Sequence, residues 1–430
     1  MNTVDSQTIA IDQLGIGHYV HLDLKWFEHP FAFSQFKIKS QEQIRTLREL
    51  GLQSVRINLE LSDAVARARS DALPPAAPSA APSADNLSIS PVMQKKRAMM
   101  EQMRLRREDA ARIEGAFVDT VEVIRDIERN MYSQPQETLQ RADRLVKKIA
   151  DSILSAPELA IQVMADKLGG EDLYFHSLNV TMLSIMIARD LKMPPELAGV
   201  LGIGALMHDI GRKDVPDKIL LKTEALTQAE RNFYELHCHF GVELGHRLNL
   251  APAAIAIIRE HHELYDGTGF PAKLKGDAIN PLARIVVIAN YYDELCNPPH
   301  IADAMTPHEA LSLMYAKLRG KFDPKMLQVL IRCLGVYPPG SIVQLSNGAI
   351  GMVVTVNTAR PMKPAVMVYD AAVPKEEAIV LDLERETEFN IAKAIAPRQV
   401  PRDVYNYLSP RKRISYYFDA SKARREVSKP

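Results

Sequence analysis

Cysteine is almost absent from this chain: three in 430 residues, at positions 238, 296 and 333, scattered and odd in number. That excludes a disulfide framework and a cysteine-rich zinc ribbon, and fits reduced thiols. Long apolar runs are missing too, and the opening MNTVDSQTIAIDQLG has no basic stretch leading into an apolar run and a cleavage site. These absences predict a cytoplasmic protein with no membrane partner. An excess of either charge is also lacking, since 53 Lys and Arg balance 53 Asp and Glu. No whole-chain bias therefore argues for a nucleic-acid polymer as partner. What is present, a 47% hydrophobic content over 430 residues, suits packed globular cores in more than one domain.

Residues 1–61 are expected to form a small α+β module. HYVHLDL and SVRINLE are strand-like, and SQEQIRTLREL predicts a helix that opens on Ser40 as N-cap and stops at Gly51. Residues 62–91 contain LPPAAPSAAPSAD, which has almost nothing to bury and reads as a semi-extended linker. Over 92–150 the chain is charged and helix-favouring, with Ile113, Phe117, Val121, Ile124 and Met131 at helical spacing. Such helices either dock on the next domain or form a homodimer and relay a signal, although regular heptads are not sustained. Helical signals dominate 151–337, in SLNVTMLSIMIARDL, ELAGVLGIGALMHDIG, TQAERNFYELHCHFGVELGHRL, AAIAIIREHHEL and ARIVVIANYYDELC. From 338 to 396 the texture turns to short β-rich runs broken by Asn-Gly and Pro, a small appendage. A basic, loosely ordered tail fills 397–430. The fold class is mainly α.

The chemistry gathers in the helical segment. His176, His208, Asp209, His237, His261 and His262 supply five imidazoles and one carboxylate, each near the end or on one face of a predicted helix. Neutral imidazole is the commonest metal-binding side chain and a carboxylate can bridge two cations, so the set suits a pair of transition metals better than magnesium. Any one of these histidines alone would more often be a satisfied core residue. The same bland reading applies to His18, His21 and His29, which strand or loop placement would scatter, and to His239, His246, His300 and His308.

HSLNV, HDIGRKDVPDKIL, HCHFG and HHELYDGTGFP, in that order and at these separations, resemble the HD-GYP branch of the HD superfamily. The match spans about 165–335, and residues 9–60 resemble the small N-terminal domain of unknown function that often precedes such domains in bacteria. The resemblance implies a helical HD-type metal-dependent phosphohydrolase domain that hydrolyses the second messenger cyclic di-GMP at a centre of two or three transition-metal ions, iron or manganese. By resemblance, His176, His208 and Asp209 would hold one metal, Asp209 would bridge, and His237, His261 and His262 would hold the second. Asp172, four residues before His176, is a further candidate for a three-metal site, against the plainer reading of a solvated helix carboxylate. His208, Asp209 and Arg212 are the residues expected nearest the reaction. Two metals would lower the pKa of a water and neutralise charge on the transition state. The loop Asp266, Gly267, Gly269, Phe270 and Pro271 would shape access or a protein contact, its glycines letting backbone approach closely and its proline restricting the exit.

Three positions and one segment depart from the family pattern. Phe270 stands where Tyr is usual, and Arg212 replaces Lys, keeping the charge with a different geometry. Asn290, in VIANYYDELC, occupies the place of a ligand Asp, and CNPPHIADAMTP replaces an Arg-Pro-Tyr type segment that helps grip substrate. Asn290 is thus a candidate ligand through its carbonyl oxygen. The last two changes also raise an alternative: a protein that binds cyclic di-GMP, or docks a diguanylate cyclase of the GGDEF type, without turnover.

Overall fold

The computed structural model of the chain describes residues 6–24, 29, 31, 34–64, 120, 123–127, 129–154, 162–163, 172–222, 224–298, 303–357, 360–371, 373–375, 378–408 and 416–417. Most of the expected linker 62–91, the start of the 92–150 segment and most of the tail lie outside these residues, as does His300. The described chain divides into two compact units. One comprises residues from 1–108 together with Tyr369–Ile379; the other comprises 109–368 and 380–430.

The first unit holds a four-stranded antiparallel sheet of β1 (Ser6–Ala10), β2 (Tyr19–His21), β3 (Gln35–Lys37) and β4 (Ser54–Asn58), in the order β1-β4-β2-β3. Helix α1 (Gln41–Glu49) begins as the sequence predicts, with the Ser40 hydroxyl accepting from the Gln43 N–H. It ends where Gly51 takes a φ of +74°, a left-handed conformation that glycine adopts without a Cβ clash. Ile44 and Leu47 of α1 pack on Ile9, Val20, Val55 and Ile57, which alternate along the strands toward one face. His18 and His29 are buried in packing roles: His18 Nδ1 accepts from the Gly15 N–H, and His29 Nε2 meets Ser34 Oγ.

The second unit is helical. Among the described residues its helices include α2 (Pro135–Leu154), α3 (Asp172–Asp190), α4 (Pro195–Leu206), α5 (Asp217–Leu220), α6 (Gln228–Glu235), α7 (His237–Arg247), α8 (Pro252–Glu260), α9 (Pro281–Cys296), α10 (Pro307–Ala316), α11 (Pro324–Leu334) and α12 (Arg402–Leu408). α12 lies in the segment expected to be a loosely ordered tail and buries Val404 and Leu408, so that expectation fails over these residues. α3 runs through the middle, with Leu178, Val180, Met182, Leu183, Ile185, Met186 and Ile187 all buried, as an all-round apolar helix must be. α2 is docked: Ala142, Leu145, Val146 and Ile153 lie in the same core. TQAERNFYELHCHFGVELGHRL, one continuous helical signal in sequence, is two helices meeting at Leu236, and that break turns His237 inward. Beyond α11, β6 (Ile342–Leu345), β7 (Ile350–Thr355), β8 (Ala365–Val368), β9 (Ile379–Asp382) and β10 (Ile391–Ala394) make a sheet in the order β10-β6-β7-β8-β9. The two-residue strand β5 (Gln162–Val163) lies earlier in the chain and pairs antiparallel with β11 (Tyr416–Tyr417), and the β6–β7 hairpin turns on Asn347-Gly348, with Gly348 at φ +87°. No helix among the described residues is long and apolar enough to cross a membrane.

Candidate metal centre

Helix ends deliver the site. His176 sits in the second turn of α3, while α4 stops at Leu206, leaving His208 and Asp209 in the turn before a short 3-10 helix, Ile210–Asp214. His237 is the first residue of α7, and His261 caps the C-terminus of α8 with His262 next to it. Gly211 lets these pieces meet. A Cβ there would stand 2.0 Å from the His237 carbonyl oxygen and 2.3 Å from the Gly241 nitrogen, so any other residue would push the His208-Asp209 turn off α7.

The result is two ligand groups sharing one carboxylate. His176, His208 and Asp209 form one, and Asp209, His237, His261 and His262 the other, with the ligand atoms of each within 4.8 Å of one another. Asp209 turns its two oxygens to opposite sides. Oδ2 lies 3.5 Å from His208 Nε2 and 3.9 Å from His176 Nε2; Oδ1 lies 3.6 Å from His237 Nε2 and 3.5 Å from His261 Nε2. The Nε2 atoms of His208 and His176 are 3.3 Å apart, as are those of His237 and His261. Bonds of about 2.0–2.1 Å to one cation place neighbouring donors roughly 3–3.5 Å apart, so the donors fit. Two buried atoms of the cluster, Asp209 Oδ1 and His262 Nε2, have no hydrogen-bond partner among the described residues, and Asn290 Oδ1 on α9 is buried without one as well. Leaving such atoms unpaired is costly unless something electropositive satisfies them.

The imidazoles are oriented from behind. His208, His237 and His261 each give Nδ1–H to the carbonyl three residues earlier, Ala205 at 2.7 Å, Tyr234 at 2.7 Å and Ile258 at 2.8 Å, which leaves Nε2 as the free donor atom. His176 uses Asp293 instead, with Nδ1 2.7 Å from its Oδ2. Burial pushes His208 down to about 3 and His237 to about 4, and holds His262 well below the ordinary imidazole range. All three are held in the neutral form, the form in which imidazole can bind a metal. Burial would also lower His176, but the hydrogen bond and charge of Asp293, with Asp209 and Glu294 beyond, raise it to about 9. Burial alone would raise Asp209, yet Arg212 and the surrounding imidazoles hold it well below the usual carboxylate range. Arg212 Nη1 donates to Asp209 Oδ2 at 2.7 Å.

The glycine loop is braced. Buried Glu263 accepts from the Ala272 N–H at 2.6 Å and the Leu274 N–H at 2.9 Å, and Phe270 N–H donates to the His262 carbonyl at 3.2 Å. Asp266 Oδ1 accepts from the Thr268 N–H, Gly267 has a φ of +84°, and the peptide before Pro271 is cis. Gly269 lies so close to the chain that a Cβ would stand 2.3 Å from Leu264 N. Phe270 stacks on His262, ring centroids 4.4 Å apart. The loop is therefore one wall of the metal centre.

The six residues of the predicted cluster come together. Asn290 lies on α9, 3% exposed, its Nδ2 3.3 Å from Glu294 Oε1. Asp172 is the first residue of α3, with its side chain outside the described residues, and part of CNPPHIADAMTP is also outside them. By spacing alone Asp293, three residues after Asn290, could stand in for it as a ligand. Its two oxygens are instead taken by His176, by Asn179 Nδ2 at 2.8 Å and by Asn297 Nδ2 at 2.8 Å, so it orients His176. Glu263 and Glu294 were missed, although Glu263 directly follows His262 and Glu294 lies one helical turn after Asn290.

Comparison with known proteins agrees with this architecture. An HD domain model matches residues 133–326, a domain of unknown function (DUF3391) matches 6–142, and a KOW domain associated with HD domain matches 342–402. Cyclic di-GMP phosphodiesterase PA4108 of Pseudomonas aeruginosa is 30% identical over 387 residues, covering 88% of this chain and 89% of that protein. Cyclic di-GMP phosphodiesterase response regulator RpfG of Xanthomonas campestris pv. campestris is 35% identical over 149 residues, 34% of this chain and 39% of its own. 3'3'-cGAMP-specific phosphodiesterase 3 of Vibrio cholerae is 31% identical over 163 residues, 38% of this chain and 35% of its own. Likeness along nearly the whole length, together with the five histidines and shared aspartate at one centre, places the chain in the HD-GYP branch of the HD superfamily, a family of phosphodiesterases, with that branch's small domain of unknown function at its N-terminal side.

Proposed function

We propose that the chain hydrolyses cyclic di-GMP at a two-cation centre, with iron or manganese as the cations. The observation that carries this reading is Asp209, whose two oxygens face separate groups of imidazoles. Imidazole-rich donors favour borderline transition metals over magnesium. The nearly full-length likeness to PA4108 supports cyclic di-GMP over cyclic GMP-AMP, whose Vibrio relative matches a much shorter part of the chain. His176, His208 and Asp209 would hold one cation, and Asp209, His237, His261 and His262 the other. When bound, such a pair supplies an activated water and neutralises charge on the phosphodiester. Asp209 would contribute an oxygen to each half of the centre, and the backbone-anchored imidazoles hold their Nε2 atoms in place. Arg212, cationic beside Asp209, meets a phosphate oxygen of the substrate. Phe270 on His262 closes one side against bulk water.

A second reading, binding of the dinucleotide or of a diguanylate cyclase without turnover, is favoured by Asn290 standing where the family has a carboxylate. One experiment separates them: full-length protein purified anaerobically after iron- and manganese-supplemented expression, analysed for metal and assayed with cyclic di-GMP. Two cations per chain and release of a linear dinucleotide or GMP are expected. Tight binding of cyclic di-GMP by the metal-loaded protein with no product would establish the second reading. Absence of bound metal would overturn the catalytic one.

A further inference from the structure

Replacing a ligand Asp by Asn removes one negative charge from a site that must hold cations, and Glu294 sits where that charge can be returned. Residues 290, 293, 294 and 297 share one face of α9, at i, i+3, i+4 and i+7, and Asp293 fixes that face against His176. Asp293 itself is committed to His176, Asn179 and Asn297. Glu294 is not: it is exposed on α9, it lies near enough to His176, Asp209 and Arg212 for their charges to interact, and its Oε1 meets Asn290 Nδ2 at 3.3 Å. This contact settles the amide. Turning Asn290 over would set its oxygen against the Glu294 carboxylate, so the amide nitrogen faces Glu294 and Oδ1 is left buried and unpartnered.

We infer that Asn290 and Glu294 act as one unit toward the cation of the His176–His208 group: Asn290 offers Oδ1 as a ligand, while Glu294 holds the amide by its Nδ2 and restores the missing negative charge. The inference rests on the metal-centre reading above and assigns Glu294 as a positioning residue. An amide oxygen alone competes poorly with water for a divalent cation, because it lacks the carboxylate charge. A carboxylate behind the amide polarises it and makes its oxygen a better donor.

The test is metal content and chelator competition on full-length wild type, Glu294→Ala, Glu294→Gln and the double variant Asn290→Asp with Glu294→Gln. Gln keeps an oxygen for the Asn290 amide but not the charge. Both single variants are expected to keep one cation as wild type does and to bind the other about 10–100-fold more weakly, the usual range for partners behind a ligand. The double variant, with its charge moved to position 290, is expected to bind like wild type. Because Glu294 is exposed, these changes leave the core intact, which melting of the metal-free proteins checks. Glu294→Gln holding both cations as tightly as wild type would overturn the inference, as would a double variant as weak as Glu294→Gln. Wild type that binds no cation would overturn the metal-centre reading and this inference with it.

Discussion

Asp209 faces both halves of the cluster, so its loss cannot be confined to one cation. Asp209→Ala should strip both metals, whereas His237→Ala should remove chiefly one, and elemental analysis of the purified variants reads the difference. Equal losses would argue against a shared carboxylate. Protons give a second handle. His176 is raised to about 9, so at pH 7.5 the metal-free protein carries a proton there that a cation must displace. Metal uptake at that pH should release about one proton from this residue, measurable by titration in buffers of different ionisation enthalpy. The same shifts set the stability of the metal-free protein. A histidine raised from 6.5 to about 9 contributes stability that is complete below 6.5 and lost as pH climbs toward 9. His208 and His237, lowered from 6.5 to about 3 and 4, act oppositely and withdraw stability as pH falls below 6.5. Chelator-treated protein should therefore melt highest near pH 6.5 and lower on both sides; a melting temperature that rose steadily from pH 6.5 to 9 would contradict the His176–Asp293 pairing.

At the scale of elements, most of the clustered residues were legible because they sit in short motifs at helix ends, His208 and Asp209 after α4, His237 at the start of α7 and His261 at the end of α8. Their supports were not. A carboxylate such as Asp293 in mid-helix carries no local sign of what it will bond, and its partner His176 lies 117 residues away. The break at Leu236 was equally silent, since neither Gly nor Pro marks it and the chain on both sides is helical. By contrast, the start and stop of α1 were readable from Ser40 and Gly51, because a cap and a left-handed turn each demand a particular residue. Glycine tests the argument about close approach. Gly211→Ala should destabilise the metal-free protein by about 1–3 kcal/mol and loosen metal binding, because its Cβ meets backbone rather than a movable side-chain end. Gly199→Ala, in α4 with nothing within 4 Å, should instead stabilise by about 0.5–1 kcal/mol and leave the metals alone. Denaturant melts of both variants check the contrast, and equal effects would undo it.

For the whole molecule, each unit has a core of its own. Ile9, Val20, Ile44, Leu47, Val55 and Ile57 serve the N-terminal sheet, while the helical core, from Ile124 to Leu334, surrounds the metal centre. Every residue placed at the centre belongs to 176–294, and each of their named supports comes from 179–297. The expected linker with its run LPPAAPSAAPSAD offers little apolar surface for a core to lose. A chain beginning near Val92 should therefore fold, keep about the same metal content per molecule and keep the pH dependence argued for His176. One local cost is expected: Tyr369–Ile379, between β8 and β9, clusters with the N-terminal unit and would lose those neighbours, so proteolysis should become faster there and not at α3 or α9. Limited proteolysis with mass analysis locates the cuts, and elemental analysis counts the metals. Insoluble or metal-free protein on this truncation would mean that the helical core depends on the N-terminal unit, and the two could no longer be treated as independently folding parts.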